Sequence, residues 1–236
     1  MSDPVVFVPG LNCTSTLFAS QIAALEGERT VIVANHRRHR SIQEIADALV
    51  GELPARFVLV GLSMGGYIAF ELMRKVPERV SVLVLMDTTA RPDSAESKER
   101  RERLIGVAEA GRFHEVPGLQ FSALVHQSRL GDVSLAGTVR TMAENTGAEV
   151  FIRQQTAIMS RVDSRPDLGR IVCPTLVVVG DGDAITPPEV AQEIADGIPG
   201  ARLATMPVCG HLSSLERPAA VTYALVQFLA DVEASR

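Results

Sequence analysis

Six short apolar runs punctuate the chain, at residues 5–8, 30–34, 57–60, 80–86, 175–179 and 202–206, each closed by small or turn-forming residues. The first five are nearly continuous in Val, Ile and Leu rather than alternating, which is the pattern of strands covered on both faces of a parallel sheet. The sixth, Arg202-Leu203-Ala204-Thr205-Met206, is more mixed. Between the runs the apolar spacing becomes helical. Ile22 and Leu25 follow the first run; Ile42, Ile45, Ala46 and Leu49 follow the second, with Ser41 placed as N-cap and Glu44 three residues on. Ile68, Ala69, Leu72 and Met73 follow the third and stop near Pro77. After the fifth, Pro187-Pro188 opens a segment carrying Val190, Ile194 and Ile198, and Pro218 opens a last one in which Val221, Leu225 and Phe228 share a face. This alternation predicts an α/β fold with right-handed crossovers and a mostly parallel, six-stranded sheet.

The alternation lapses over residues 89–169, where four helices are predicted at 95–110, 113–124, 133–144 and 149–160. The first is crowded with Glu96, Lys98, Glu99, Arg100, Arg101, Glu102 and Arg103, which reads as a solvated helix face. Because the stretch leaves from the carboxyl end of the fourth strand, it is expected to sit over that edge as a helical cap. The expected division is a core of residues 1–88 and 170–236 with a cap of 89–169.

A chain of 236 residues suits one domain with such an insertion. With 23 basic against 28 acidic residues, the net charge of −5 argues against a surface for duplex nucleic acid. Cys13, Cys173 and Cys209 form no Cys-x-x-Cys pair, so neither a disulfide framework nor a structural zinc site is expected. Met1-Ser2-Asp3-Pro4 leads straight into an apolar run without a basic flank, and no apolar run approaches the roughly 20 residues of a membrane span. The expectation is a cytoplasmic monomer or homodimer acting on a small molecule, with no nucleic-acid or membrane partner and no metal or cofactor.

The sharpest chemical signal is Gly61-Leu62-Ser63-Met64-Gly65-Gly66, between a predicted strand and a predicted helix. A serine at this spacing sits on a tight strand-to-helix turn with its hydroxyl pushed outward, the glycines keeping side chains out of the bend. No Gly-x-Gly-x-x-Gly follows the first strand and no phosphate-binding Gly-Lys-Ser/Thr loop occurs. A serine nucleophile needs a base. Of five histidines, only His211 lies in a short turn, Val208-Cys209-Gly210-His211, between the last strand and last helix. His36 and His39 fall in Asn35-His36-Arg37-Arg38-His39-Arg40, read as a charged loop or as a rim contact to an anionic substrate. The imidazole needs a carboxylate. Asp183, in the loop after the fifth strand, is favoured for its reach; Asp87, directly after the fourth, competes, and Asp181 reads as a turn former. Developing negative charge would be met by the N–H groups of Met64 and Leu11, with Asn12 beside them. Cys13 lacks the strand–turn–helix setting of Ser63.

With these motifs in place the chain resembles the α/β-hydrolases. The nucleophile elbow of that family falls on Gly61-Leu62-Ser63-Met64-Gly65, its acid loop on Gly180 through Pro187, and its glycine–histidine pair on Gly210-His211. The resemblance runs from Val5 to Leu229. Two departures stand out: Pro9-Gly10 replaces the usual His-Gly after the first core strand, and the sheet is expected to lack the family's first hairpin. The nearest flavour resembles small bacterial esterases and 3-oxoadipate enol-lactonases, supported by Leu85-Met86-Asp87-Thr88-Thr89-Ala90-Arg91-Pro92 and Arg170-Ile171-Val172-Cys173-Pro174. It implies hydrolysis of a carboxylic ester through an acyl-enzyme. Lactonase, thioesterase or C–C bond hydrolase activity on the same triad, and a non-catalytic ligand-binding protein, remain open alternatives. Phe113, Phe121, Leu124 and Met142 of the cap are expected to line an apolar substrate pocket.

Overall fold

Val5-Val6-Phe7-Val8 presents apolar side chains to both sides, and all four residues are fully shielded from solvent. Such a run is stable only with cover on both faces. In the computed structural model, which describes residues 2–235, it is β1 (Val5–Val8) of a six-stranded sheet. The other strands are β2 (Val31–Val33), β3 (Phe57–Leu62), β4 (Val80–Met86), β5 (Thr175–Gly180) and β6 (Arg202–Met206), in the spatial order β2-β1-β3-β4-β5-β6. Every pairing is parallel. Successive side chains point to opposite faces. Val6, Val8, Leu59, Leu83, Leu85, Val177 and Val179 therefore meet α2 (Ile42–Glu52), α3 (Met64–Lys75) and α8 (Pro188–Gly197). Phe7, Val58, Val60, Val82, Val84 and Val178 meet α1 (Ala19–Leu25) and α10 (Pro218–Ala234) on the other side. Each fully buried Val, Leu or Phe contributes about 1.5–3 kcal/mol.

The second predicted run is shorter than expected. Only Val31–Val33 pair, and Val33 is exposed, because β2 has β1 as its sole neighbour at the sheet edge. Ser41 caps α2 as anticipated, its hydroxyl accepting the Glu44 N–H at 3.1 Å.

Four helices, α4 (Ala95–Val107), α5 (Val116–Leu124), α6 (Val133–Thr146) and α7 (Ala148–Met159), separate β4 from β5. The predicted 95–110 helix stops early because the chain widens over residues 108–112, where Gly111 takes φ 75°. The one-turn helix α9 (Ser213–Glu216), which the periodicity does not announce, begins two residues after His211. None of the helices among the described residues is long and apolar enough to cross a membrane.

The strand order places the site. From β1 the chain moves outward to β2, then returns to β3 on the opposite side of β1 and continues through β6. In an open parallel sheet, the crevice at the carboxyl ends of two strands where the order reverses is the favoured binding position. Here those strands are β1 and β3, followed by Gly10-Leu11 and by Ser63.

Candidate functional site

Ser63 joins β3 to α3 with φ 54° and ψ −113°. A non-glycine residue held there stores roughly 1–3 kcal/mol of strain, so its surroundings must enforce it. Its N–H donates to the Met86 carbonyl at 2.9 Å, while its own carbonyl accepts from the Gly66 N–H and the Thr88 hydroxyl, each at 2.9 Å. The flanking glycines allow this approach: a methyl group on Gly65 would run into the Val8 carbonyl, and one on Gly66 into the Thr88 side chain. The elbow is thus clamped between β1 and β4 with only the hydroxyl left to project.

The hydroxyl meets His211, whose Nε2 lies 2.9 Å from Ser63 Oγ. On the other side of the ring, Nδ1 lies 2.8 Å from Asp183 Oδ2. A carboxylate accepts, so Nδ1 carries the proton and Nε2 is free to accept from the serine. Asp183 is itself held: Oδ1 accepts the N–H groups of Ile185 (2.8 Å) and Thr186 (3.0 Å), and Oδ2 accepts the Thr186 hydroxyl at 2.7 Å. Burial alone would push the Asp183 pKa up, but His211 and the Thr186 donors outweigh it and hold the carboxyl below its ordinary range. Burial likewise pulls the His211 imidazole down, yet the charge and hydrogen bond of Asp183, with the charges of Asp87 and Glu216, leave it above its ordinary value.

Asp87, the competing acid, forms no hydrogen bond with the imidazole among the described residues. Its Oδ1 accepts the Gly180 N–H at 3.1 Å, and its Oδ2 accepts the N–H and hydroxyl of Ser213. It ties β4 to β5 and to the start of α9. Burial, then the proximity of Asp183, raises its pKa to about 8. Asp181 does bond to backbone, as a turn former would, but across the sheet edge: Oδ1 accepts the Cys209 N–H at 3.0 Å. Glu216, which the sequence reading missed, completes this anchoring. Its carboxylate accepts the Gly210 N–H at 2.9 Å and the His126 N–H at 2.8 Å, and the His211 N–H donates to the Leu124 carbonyl at 3.0 Å. The turn carrying the imidazole is therefore fixed from three directions. The available signal was a lone acidic residue five positions after His211, with no other Asp or Glu between Asp196 and Asp231.

The first-strand turn brings Gly10 against the elbow, where an added methyl group would lie 3.5 Å from Ser63 Cβ. The N–H groups of Leu11 and Met64 find no protein acceptor among the described residues. His36, read from sequence as part of a charged loop or as a rim residue, is instead buried, with Nε2 3.2 Å from the Gly10 carbonyl. That carbonyl only accepts, so Nε2 carries the proton; burial lowers the ring's pKa to about 4 and keeps it neutral. A trans peptide carries its N–H opposite to its C=O. Holding the Gly10 carbonyl therefore fixes the direction of the Leu11 N–H. His36 supplies from the end of β2 the support that Pro9 cannot. Asn12 adjoins this turn with φ 58°, its N–H donating to Gln154 Oε1 at 3.0 Å. Cys13 is buried, its thiol donates to the Leu11 carbonyl, and burial pushes it up to about 12, so it is no nucleophile at neutral pH.

Ser63 and His211 share a cavity of about 300 Å³ with Leu11, Asn12, Leu124 and Met142. Phe113 and Phe121 do not line it. Phe113 packs on Phe151 with ring centroids 5.3 Å apart, and the half-buried Phe121 packs against the apolar cluster that includes Leu135, Val139 and Met142 of α6. The face a cap helix shows to the cavity depends on how the four helices pack. The charged segment of α4 is also not wholly solvated: Arg100, Arg101 and Arg103 line the cavity. Arg37 and Arg38, in the charged loop, reach the Asn145 carbonyl and Glu52.

A sequence model described as the alpha/beta hydrolase family matches residues 5–224. A relative from Mycobacterium tuberculosis that carries a non-heme bromoperoxidase name is 33% identical over 77% of this chain and 70% of its own. The pimeloyl-[acyl-carrier protein] methyl ester esterase of Aromatoleum aromaticum is 28% identical, covering 77% of each chain. A thermophilic esterase from Thermogutta terrifontis, solved with malate bound, superposes with a TM-score of 0.89 at 31% identity, over 98% of this chain and 91% of that one.

Proposed function

The chain belongs to the alpha/beta hydrolase family, and on that premise we propose that it is a serine hydrolase acting on a carboxylic ester of small or medium size. The observation carrying this reading is the unbroken line of hydrogen bonds Ser63 Oγ–His211 Nε2 (2.9 Å) and His211 Nδ1–Asp183 Oδ2 (2.8 Å). It reaches the floor of a cavity walled by Leu104, Leu119, Leu124 and Met142. Ser63 Oγ attacks the ester carbonyl as His211 Nε2 takes its proton. The carbonyl oxygen, now negative, is received by the N–H groups of Met64 and Leu11. Met64 also stands at the positive end of α3. The imidazolium, steadied by Asp183, returns the proton to the departing alkoxide. Water, activated by the same imidazole, then releases the acid and restores Ser63. The cycle uses only these side chains, two backbone amides and water.

A fluorophosphonate probe is expected to label the folded protein at Ser63 alone, with p-nitrophenyl acetate hydrolysed at a rate lost in step with labelling. Labelling elsewhere, or none in protein that keeps its circular dichroism, would remove the reading.

His36→Leu is expected to lower kcat about tenfold or more, with KM little changed, because the Leu11 donor acts mainly on the developing oxyanion. His36→Gln, which keeps an N–H donor, should recover most of that loss. Equal effects of both variants on KM and kcat would show that the ring only fills space.

A further inference from the structure

Three arginines and no Asp or Glu line the cavity that holds Ser63 and His211, in a chain with an excess of acidic residues. Arg101 is anchored deep, its Nε donating to Asp93 Oδ2 at 2.7 Å and its Nη1 to Gln155 Oε1 at 2.8 Å. Asp93 is buried and also pairs with Arg161 at 2.6 Å, so two guanidinium groups face one carboxylate and positive charge is left over. A guanidinium has five N–H donors; with Nε, Nη1 and a long Nη2 contact to Asp93 assigned, two have no partner among the described residues.

Gln155 is fully buried and also lines the cavity. Because its Oε1 accepts from Arg101, the amide orientation is set and Nε2 is the free end; that N–H group has no partner in the protein among the described residues. A buried donor without an acceptor is costly and usually marks a place where something else binds. Nearer solvent, Arg100 makes only a 3.4 Å contact with Ser97 Oγ, and Arg103 forms no ion pair among the described residues. The same cavity is lined by the apolar Leu104, Leu124 and Met142.

We infer that Arg101 and Gln155, with Arg100 and Arg103 at the mouth, form a subsite for a carboxylate at the far end of the substrate. The preferred substrate class is then the monoester of an acid that keeps a second, free carboxylate, both ends held in the one cavity. Planar, forked donors match a carboxylate's two oxygens, and a cationic mouth raises the encounter rate of an anion. The inference rests on the hydrolase reading above and narrows it.

The test compares mono-4-nitrophenyl glutarate with the methyl 4-nitrophenyl diester of the same acid, on the full-length protein. The monoester is expected to show kcat/KM about tenfold or more above the diester at low salt, with the advantage shrinking as salt rises. Arg100→Gln/Arg103→Gln and, separately, Gln155→Met should each lower the monoester-to-diester ratio about fivefold or more. Preference for the neutral diester, or a ratio that neither variant moves, overturns the subsite while fluorophosphonate labelling of Ser63 keeps the hydrolase reading. Absence of both labelling and turnover overturns the two together.

Discussion

Ser63→Ala is expected to lower kcat for ester hydrolysis by about 10⁶-fold, the largest single effect in the molecule. The size follows from what the hydroxyl does alone: it supplies the bonding electron pair, and no other nucleophile stands at the end of the imidazole. Cys13 shares the cavity but its thiol is held protonated. The fold should survive, because the strain at position 63 is held by backbone bonds to Met86, Gly66 and Thr88, none of which uses Oγ. Thermal unfolding by circular dichroism within a few degrees of the parent, alongside the lost turnover and lost labelling, is the expected outcome. Retention of a tenth of the activity would place the nucleophile elsewhere.

Asp183→Asn comes next, with an expected loss of about 10⁴-fold in kcat. An amide at this position no longer offers His211 Nδ1–H an anionic acceptor, so the tautomer with Nε2 free is no longer favoured. The pH profile carries a second readout. In the parent, Asp183 outweighs burial and raises the imidazole pKa, so kcat/KM falls as pH drops through an apparent value above the ordinary 6.5. In Asp183→Asn burial acts without that opponent, and the acid limb moves to lower pH. Asp87→Asn is the contrast. Asp87 forms no hydrogen bond with the imidazole among the described residues; its oxygens accept from Gly180 and Ser213, so the substitution weakens an anchor and leaves the Asp183–His211 bond in place. Turnover within about tenfold of the parent is expected; a 10⁴-fold loss here, with Asp183→Asn active, would transfer the acid's role to Asp87.

These two carboxylates also show where sequence reading stops. Ser63 was legible because everything that defines it is local: a β3 run, a glycine on each side and a helix start lie within a few residues. His211 was legible for a similar reason, a short turn between β6 and the last helices. Asp87 and Asp183 both follow a strand at the same sheet edge, Asp87 directly and Asp183 within a loop, and loop length favoured Asp183 without excluding the other. The decision lies in the direction each side chain takes once β4 and β5 are paired. Asp183 turns to an imidazole 28 positions away, while Asp87 is consumed by Gly180 and Ser213.

By itself the sequence determined the parallel α/β sheet and the strand–turn–helix at Ser63, since each depends on neighbours a few residues apart. Only the tertiary structure decided that His36 is buried beneath Gly10, that Glu216 pins the histidine turn, that Arg101 and Gln155 rather than Phe113 and Phe121 face the cavity, and that Ser63 meets a residue 148 positions away. The reason is geometric. A strand buried on both faces constrains every side chain through its own pattern, whereas a cap helix with mixed charge has several faces of similar polarity. Which of them turns inward is chosen by packing against elements distant in sequence.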